Sequence, residues 1–102
     1  MGARIPIDLE KLAEFCRKHH IRKLSFFGSV LRDDFRPDSD VDVLYELEPG
    51  HKIGGFFDLI HVEEELSRLL QGHRVEMIDP RYLNRWIKDQ VLSEAQVQYG
   101  EN

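Results

Sequence analysis

Leu24-Ser25-Phe26-Phe27-Gly28-Ser29, then ten residues, then Asp40-Val41-Asp42-Val43-Leu44 is the stretch whose reading decides the fold. A strand-like run stops at a Gly-Ser turn, and two aspartates flanking one valine open a second strand-like run. Side chains alternate faces along a strand, so Asp40 and Asp42 project from the same side. Two carboxylates that close cannot both stay ionised cheaply without an opposing charge. A hard divalent cation held through oxygen ligands, Mg²⁺ above all, supplies it. The Gly28-Ser29 turn offers backbone N–H groups and a hydroxyl at the head of a short helical segment expected over 30–33, which suits a phosphate. A phosphate cradle beside a metal-binding pair describes a phosphoryl or nucleotidyl transfer site. Gly-Ser and Asp-x-Asp at one fixed spacing arise by chance in on the order of one chain in a thousand of this length.

The composition sets the frame for that site. At 102 residues the chain is expected to form a single domain, residues 1–102. Hydrophobic residues make up 41% and charged residues 32%, an ordinary globular balance. No apolar run is long enough to span a bilayer, and Met1-Gly2-Ala3-Arg4 carries no apolar signal core, so no membrane role is expected. Pro6 stands where a myristoylation signal needs Ser or Thr. The lone Cys16, at an apolar helical position, reads as a small core residue in a reducing cytoplasm. A net charge of −5 argues against direct nucleic-acid binding, which phosphate neutralisation drives. The one dense basic run, residues 17–23, reads first as positive groups closing a helix C-terminus.

Along the chain, Asp8 is expected to cap a helix carrying Leu9, Leu12, Ala13, Phe15 and Cys16, which ends near His19-His20. Residues 21–27 form the first strand and residues 40–47 the second. Val41, Val43, Tyr45 and Leu47 share the face that packs on helices, while Asp40, Asp42, Leu44 and Glu46 share the open face. After Glu48-Pro49-Gly50 and Gly54-Gly55, a long amphipathic helix runs from Phe56 to about Gln71-Gly72. Its Glu63-Glu64-Glu65 triplet reads as a solvated face. Residues 74–78 form a third strand, Asp79-Pro80 starts a further helix reaching Leu92, and residues 95–99 alternate as an edge strand. The result is an α/β (α+β) domain, a small mixed sheet with helices on one face.

Nucleotidyl transfer through two metals wants a third acidic group. Val75 and Met77 are the helix-facing pair of the third strand, so Glu76 faces the side of Asp40 and Asp42. Asp79 continues the apolar side and has a sufficient role as an N-cap ahead of Pro80. Glu76 is therefore the third candidate, as metal ligand or as general base. Arg32 could reach a phosphate, or pair with Asp33 or Asp34. The five histidines show no metal-ligand spacing in sequence and read as surface or helix-end residues.

Gly28-Ser29 followed after ten residues by Asp40-x-Asp42 resembles the signature of the DNA polymerase beta-like nucleotidyltransferase superfamily. The whole stretch from Ile21 to Tyr99 resembles the minimal nucleotidyltransferases, the antitoxin half of HEPN–MNT toxin–antitoxin modules. Arg32, Pro37-Asp38-Ser39, Phe57-Asp58-Leu59, Glu63-Glu64-Glu65-Leu66, Val91-Leu92-Ser93-Glu94-Ala95 and Tyr99 also carry the resemblance. Val30 departs from it where arginine is common, and Glu76 where aspartate is usual. The resemblance implies a Mg²⁺-dependent enzyme that moves AMP from ATP to a hydroxyl, a tyrosine of a cognate HEPN ribonuclease toxin, within a hetero-oligomer. Asp40, Asp42 and Glu76 would hold metal, and Gly28, Ser29 and Arg32 the nucleotide. Two other classes stay open: an antitoxin that masks the toxin by contact alone, and transfer of a nucleotide to a small molecule.

Overall fold

Asp8 opens the first helix as its position predicts, its Oδ1 accepting the backbone N–H groups of Glu10 and Lys11 at 3.0 and 3.2 Å. The computed structural model describes residues 7–31, 36 and 38–100. Within them the order is α1 (Leu9–Lys18), β1 (Ile21–Phe27), a 3₁₀ turn (Gly28–Leu31), β2 (Val41–Leu47), α2 (Phe56–Leu69), β3 (Val75–Ile78), a second 3₁₀ turn (Pro80–Tyr82), α3 (Arg85–Glu94) and β4 (Gln96–Tyr99). No described helix is long and apolar enough to cross a membrane.

The strands form one mixed sheet in the order β3-β2-β1-β4. β1 runs antiparallel to β2 and to β4, whereas β2 and β3 are parallel. Parallel neighbours need a crossover, and α2 is that crossover. Alternation then sorts the residues. Leu24 and Phe26 pair with Tyr45 and Val43, and with Val41, Val75 and Met77 they form the side that meets Leu12, Phe15 and Cys16 of α1 and Val62 and Leu66 of α2. Phe26, Val41, Val43, Leu24 and Cys16 are wholly buried there. Burial pushes the Cys16 thiol up to about 12, Arg17 opposing weakly, so this cysteine is an inert packing group.

Four expectations need correction. The Glu63-Glu64-Glu65 triplet is not simply a solvated face. Glu63 Oε2 accepts the Met77 N–H at 2.8 Å, covering the outer edge of β3. Glu65 binds Lys18 Nζ at 3.2 Å and His19 Nε2 at 3.0 Å, so the basic end of α1 clasps α2. The segment beginning at Asp79-Pro80 is not one helix. Asp79 caps only a single 3₁₀ turn, Leu83 returns to an extended backbone, and Asn84 caps α3 by accepting the Trp86 N–H at 2.8 Å. Asn84 competes for backbone N–H groups, and that restarts the helix. The short helical segment expected over 30–33 begins at Gly28 and reaches Leu31, with 32–35 outside the described residues. Finally, the face carrying Asp42 is open only at one end. Ser25 and Leu44 are both buried on it, and Leu92, Ala95 and Val97 line the same small cavity as that pair.

Candidate active site

Phe27, Asp42 and Glu76 form one row across three adjacent strands, Phe27 pairing with Asp42 and Asp42 with Glu76. Directly paired residues share a face, and neighbouring strands lie about 4.8 Å apart. The Asp42 and Glu76 side chains therefore leave the sheet side by side. Glu76 is exposed between the buried Val75 and Met77, which fixes the register read from the sequence. Asp40 is exposed just ahead of β2. The ladder reaches back to it, since Val41 N–H bonds Arg74 C=O at 2.8 Å. Alternation brings Asp40 to the face of Asp42.

The turn at the end of β1 closes over this row. Gly28 has φ +80°, and a Cβ built on it would lie 2.7 Å from Asp42 Oδ2. Both the left-handed backbone and the missing side chain are needed for the turn to approach the carboxylate. Ser29 follows Gly28 as the second residue of that turn. Val30, the departure from the family pattern, is wholly buried in the core and is a packing residue. Arg32 lies outside the described residues.

Asp79 stands apart from the row. Its Oδ1 accepts the Arg81 N–H at 2.9 Å, and its Oδ2 meets Arg81 Nη2 at 2.7 Å. The Arg81 hydrogen bond holds its carboxyl below the usual range, against a smaller upward push from burial. It also helps raise Tyr45, whose phenol is lifted first by burial, and Tyr45 belongs to the helix-facing side. Asp79 is a capping residue past the end of β3, where it lines a cavity with Glu46, Lys88 and Leu92.

The residues that steady Asp40 were missed in the sequence. Ser39 Oγ accepts the Arg36 N–H at 3.0 Å, and Ser39 N–H bonds Arg36 C=O at 2.9 Å. His73 Nδ1 lies 3.2 Å from the Ser39 carbonyl. A carbonyl only accepts, so that nitrogen carries the hydrogen. Ser67 Oγ in turn donates to the His73 carbonyl at 2.5 Å. This relay ties the end of α2 to the residue before Asp40, and only the fold brings its members together. The sequence also gave no sign that His20, Glu48 and His51 lie together, with ligand atoms all within 4.8 Å of one another. His20 and His51 are exposed, the first at the end of α1, as read from the sequence, and only the fold brings them to Glu48.

Hard carboxylate oxygens on one face, beneath a turn that a single Cβ would block, suit a small, oxygen-seeking cation such as Mg²⁺ with an attached phosphate. The nucleotidyltransferase domain, as a family pattern, matches residues 9–97. The chain belongs to that family. This nucleotidyltransferase domain is 35% identical over 82 residues to the protein adenylyltransferase MntA of Thermococcus cleftensis, covering 80% of this chain and 79% of that protein. A solved structure of a proposed minimal nucleotidyltransferase is 34% identical and superposes with a TM-score of 0.64, over 87% of this chain and 94% of that one. A toxin–antitoxin structure with AMP-PNP reaches a TM-score of 0.71 over 94% of this chain and 76% of that one. At 16% identity it shows the shared fold. The mixed four-stranded sheet with its three helices is thus the fold of minimal nucleotidyltransferases.

Proposed function

We propose that this nucleotidyltransferase domain moves AMP from ATP to a hydroxyl of a partner protein, a tyrosine of a HEPN ribonuclease toxin, and acts as that toxin's antitoxin. The observation that carries the proposal is the seating of the Gly28 turn over Asp42, so close that a Cβ at position 28 would lie 2.7 Å from the carboxylate. Such closeness brings a phosphate gripped by the turn up against the carboxylates. Asp40 and Asp42, with Glu76 beside them, would hold Mg²⁺. Bound there, the ion would offset phosphate charge and favour ionisation of the attacking hydroxyl.

The chain's own groups supply the rest. The backbone N–H groups of Gly28 and Ser29 hold the β- and γ-phosphates, with Arg32 as a further cation, and so orient the α-phosphate. Glu76 takes the proton of the acceptor hydroxyl. The hydroxyl oxygen then bonds to the α-phosphorus, the bond to the bridging oxygen breaks, and pyrophosphate leaves with that electron pair. AMP remains on the acceptor.

A protein acceptor is supported by exposure. Asp40 and Glu76 are open to solvent, and the chain offers large apolar groups outside its core. Trp86 and Tyr82 are 79% and 83% exposed, and Phe56 and Phe57 are 71% and 75% exposed. Exposed aromatic side chains of this kind suit contact with another protein, since aromatics are enriched in interfaces. The adenylyltransferase relative and the toxin–antitoxin structure with an ATP analogue support the same acceptor. ATP as donor and an unpaired buried cysteine suit a cytoplasmic setting. The test uses ATP labelled at either end with the toxin partner. Label should pass to the toxin from the α-phosphate and not from the γ-phosphate. Transfer of the γ label would make the chain a kinase and overturn the proposal.

A further inference from the structure

We infer that His20, Glu48 and His51 form a binding site for a borderline divalent cation, of which Zn²⁺ is the natural occupant, at the opposite end of the sheet from the carboxylate row. His20 precedes β1 and Glu48 follows β2, whereas Gly28 and Asp42 lie at the other ends of those strands. The seven residues of β1 separate the two sites, roughly 20 Å at strand spacing.

The backbone builds the cluster. His20 sits in the left-handed region at φ 58°, just past the end of α1, with its N–H on Arg17 C=O at 3.3 Å. Its carbonyl accepts the Glu48 N–H at 2.8 Å, which fixes Glu48 beside it. Glu48-Pro49-Gly50-His51 is then a tight turn, His51 N–H bonding Glu48 C=O at 3.1 Å with Gly50 at φ +83°. Proline second and a left-handed glycine third describe a type II turn, which brings its first and last residues together. Three potential ligands are thereby set on one corner without relying on their own side-chain contacts.

The side chains gather within reach of one ion. The His20 and His51 rings stack with centroids 3.8 Å apart and planes 16° from parallel. One ligand atom from each of the three residues lies within 4.8 Å of the others. Ligands on a tetrahedral zinc are roughly 3.4 Å apart, so the two exposed rings close the site by turning out of their stack until their nitrogen lone pairs converge on the ion. Two imidazoles and one carboxylate with a remaining open position is a donor set that zinc accepts. Nitrogen donors also separate this site from the carboxylate row, which offers oxygen alone and suits Mg²⁺.

The test titrates Zn²⁺ into the full, tag-free chain in a calorimeter with Mg²⁺ in excess, since Mg²⁺ competes at carboxylates and poorly at imidazoles. One equivalent should bind, at least tenfold more weakly in His51→Ala and in His20→Asn, and unchanged in Asp42→Asn. Asparagine tolerates the left-handed backbone at position 20, so that variant keeps the corner. If circular dichroism shows either histidine variant unfolded, Glu48→Gln keeps side-chain size and turn, and should weaken binding in the same direction. Equal affinity in the wild type and in the folded variants of this cluster would overturn the site. So would loss of Zn²⁺ binding in Asp42→Asn alone, which would assign the ion to the carboxylate row.

Discussion

Placing a methyl group on Gly28 tests the site at its tightest point. The Cβ would fall 2.7 Å from Asp42 Oδ2, and the backbone would have to hold φ +80° with a side chain attached. Gly28→Ala should therefore cost about 1 kcal/mol of stability and sharply reduce Mg-ATP binding. Ser29→Ala, which removes one hydroxyl and leaves the backbone N–H groups, should weaken binding less. Calorimetry with Mg-ATP ranks the two, and the reverse order would make the turn merely structural. A second pair separates neighbours on one segment. Glu76→Gln should lose most AMP transfer with an unchanged melting midpoint, because Glu76 is exposed and in the row with Asp42. Asp79→Ala should keep transfer and lose about 1 kcal/mol as a cap. Rates and midpoints for both variants decide it, and an inactive Asp79→Ala with an active Glu76→Gln would reverse the assignment.

At the scale of the elements, α2 does more than cross over. Its Glu63 covers the outer N–H of β3 at Met77, next to Glu76, and its Glu65 holds the end of α1. Burial pushes the Glu65 carboxyl up, but the hydrogen bonds from His19 and Lys18 outweigh it and leave the group below its usual range. A depressed carboxyl stabilises the fold above its unfolded value of about 4.3, and that contribution is lost as pH falls through the folded value. The midpoint of wild type should therefore drop below about pH 4 more steeply than that of Glu65→Gln. Parallel slopes would show the pair adds nothing. Period-2 alternation made the strands and the faces of Asp42 and Glu76 legible in the sequence, because a buried face fixes register. The roles of Glu63, Glu65 and His73 were not legible. Their partners lie on other elements, and a charged residue in isolation reads the same whether it faces water or a strand edge. Asn84 was overlooked as a cap because the apolar spacing around Leu83 and Trp86 reads as continuous helix.

For the molecule as a whole, the core faces one way and function the other. α1 and α2 close one side of the sheet, while the row of Asp42 and Glu76 and the large exposed groups of α3 are left for a partner. No residue of α3 is buried, so Trp86→Ser should leave the midpoint within about 0.5 kcal/mol of wild type. The same change should weaken capture of the toxin partner, read as a higher toxin concentration at half-maximal transfer. An unchanged value would move the docking surface elsewhere. The central claim is that the carboxylate row transfers AMP to a protein. Intact mass spectrometry of the toxin, after incubation with this chain, ATP and Mg²⁺, tests it most directly. Wild type should add whole adenylyl groups to the toxin, and Asp42→Asn, folded and still able to bind the toxin, should add none. A toxin silenced without any adduct, or modified equally by Asp42→Asn, would contradict the account.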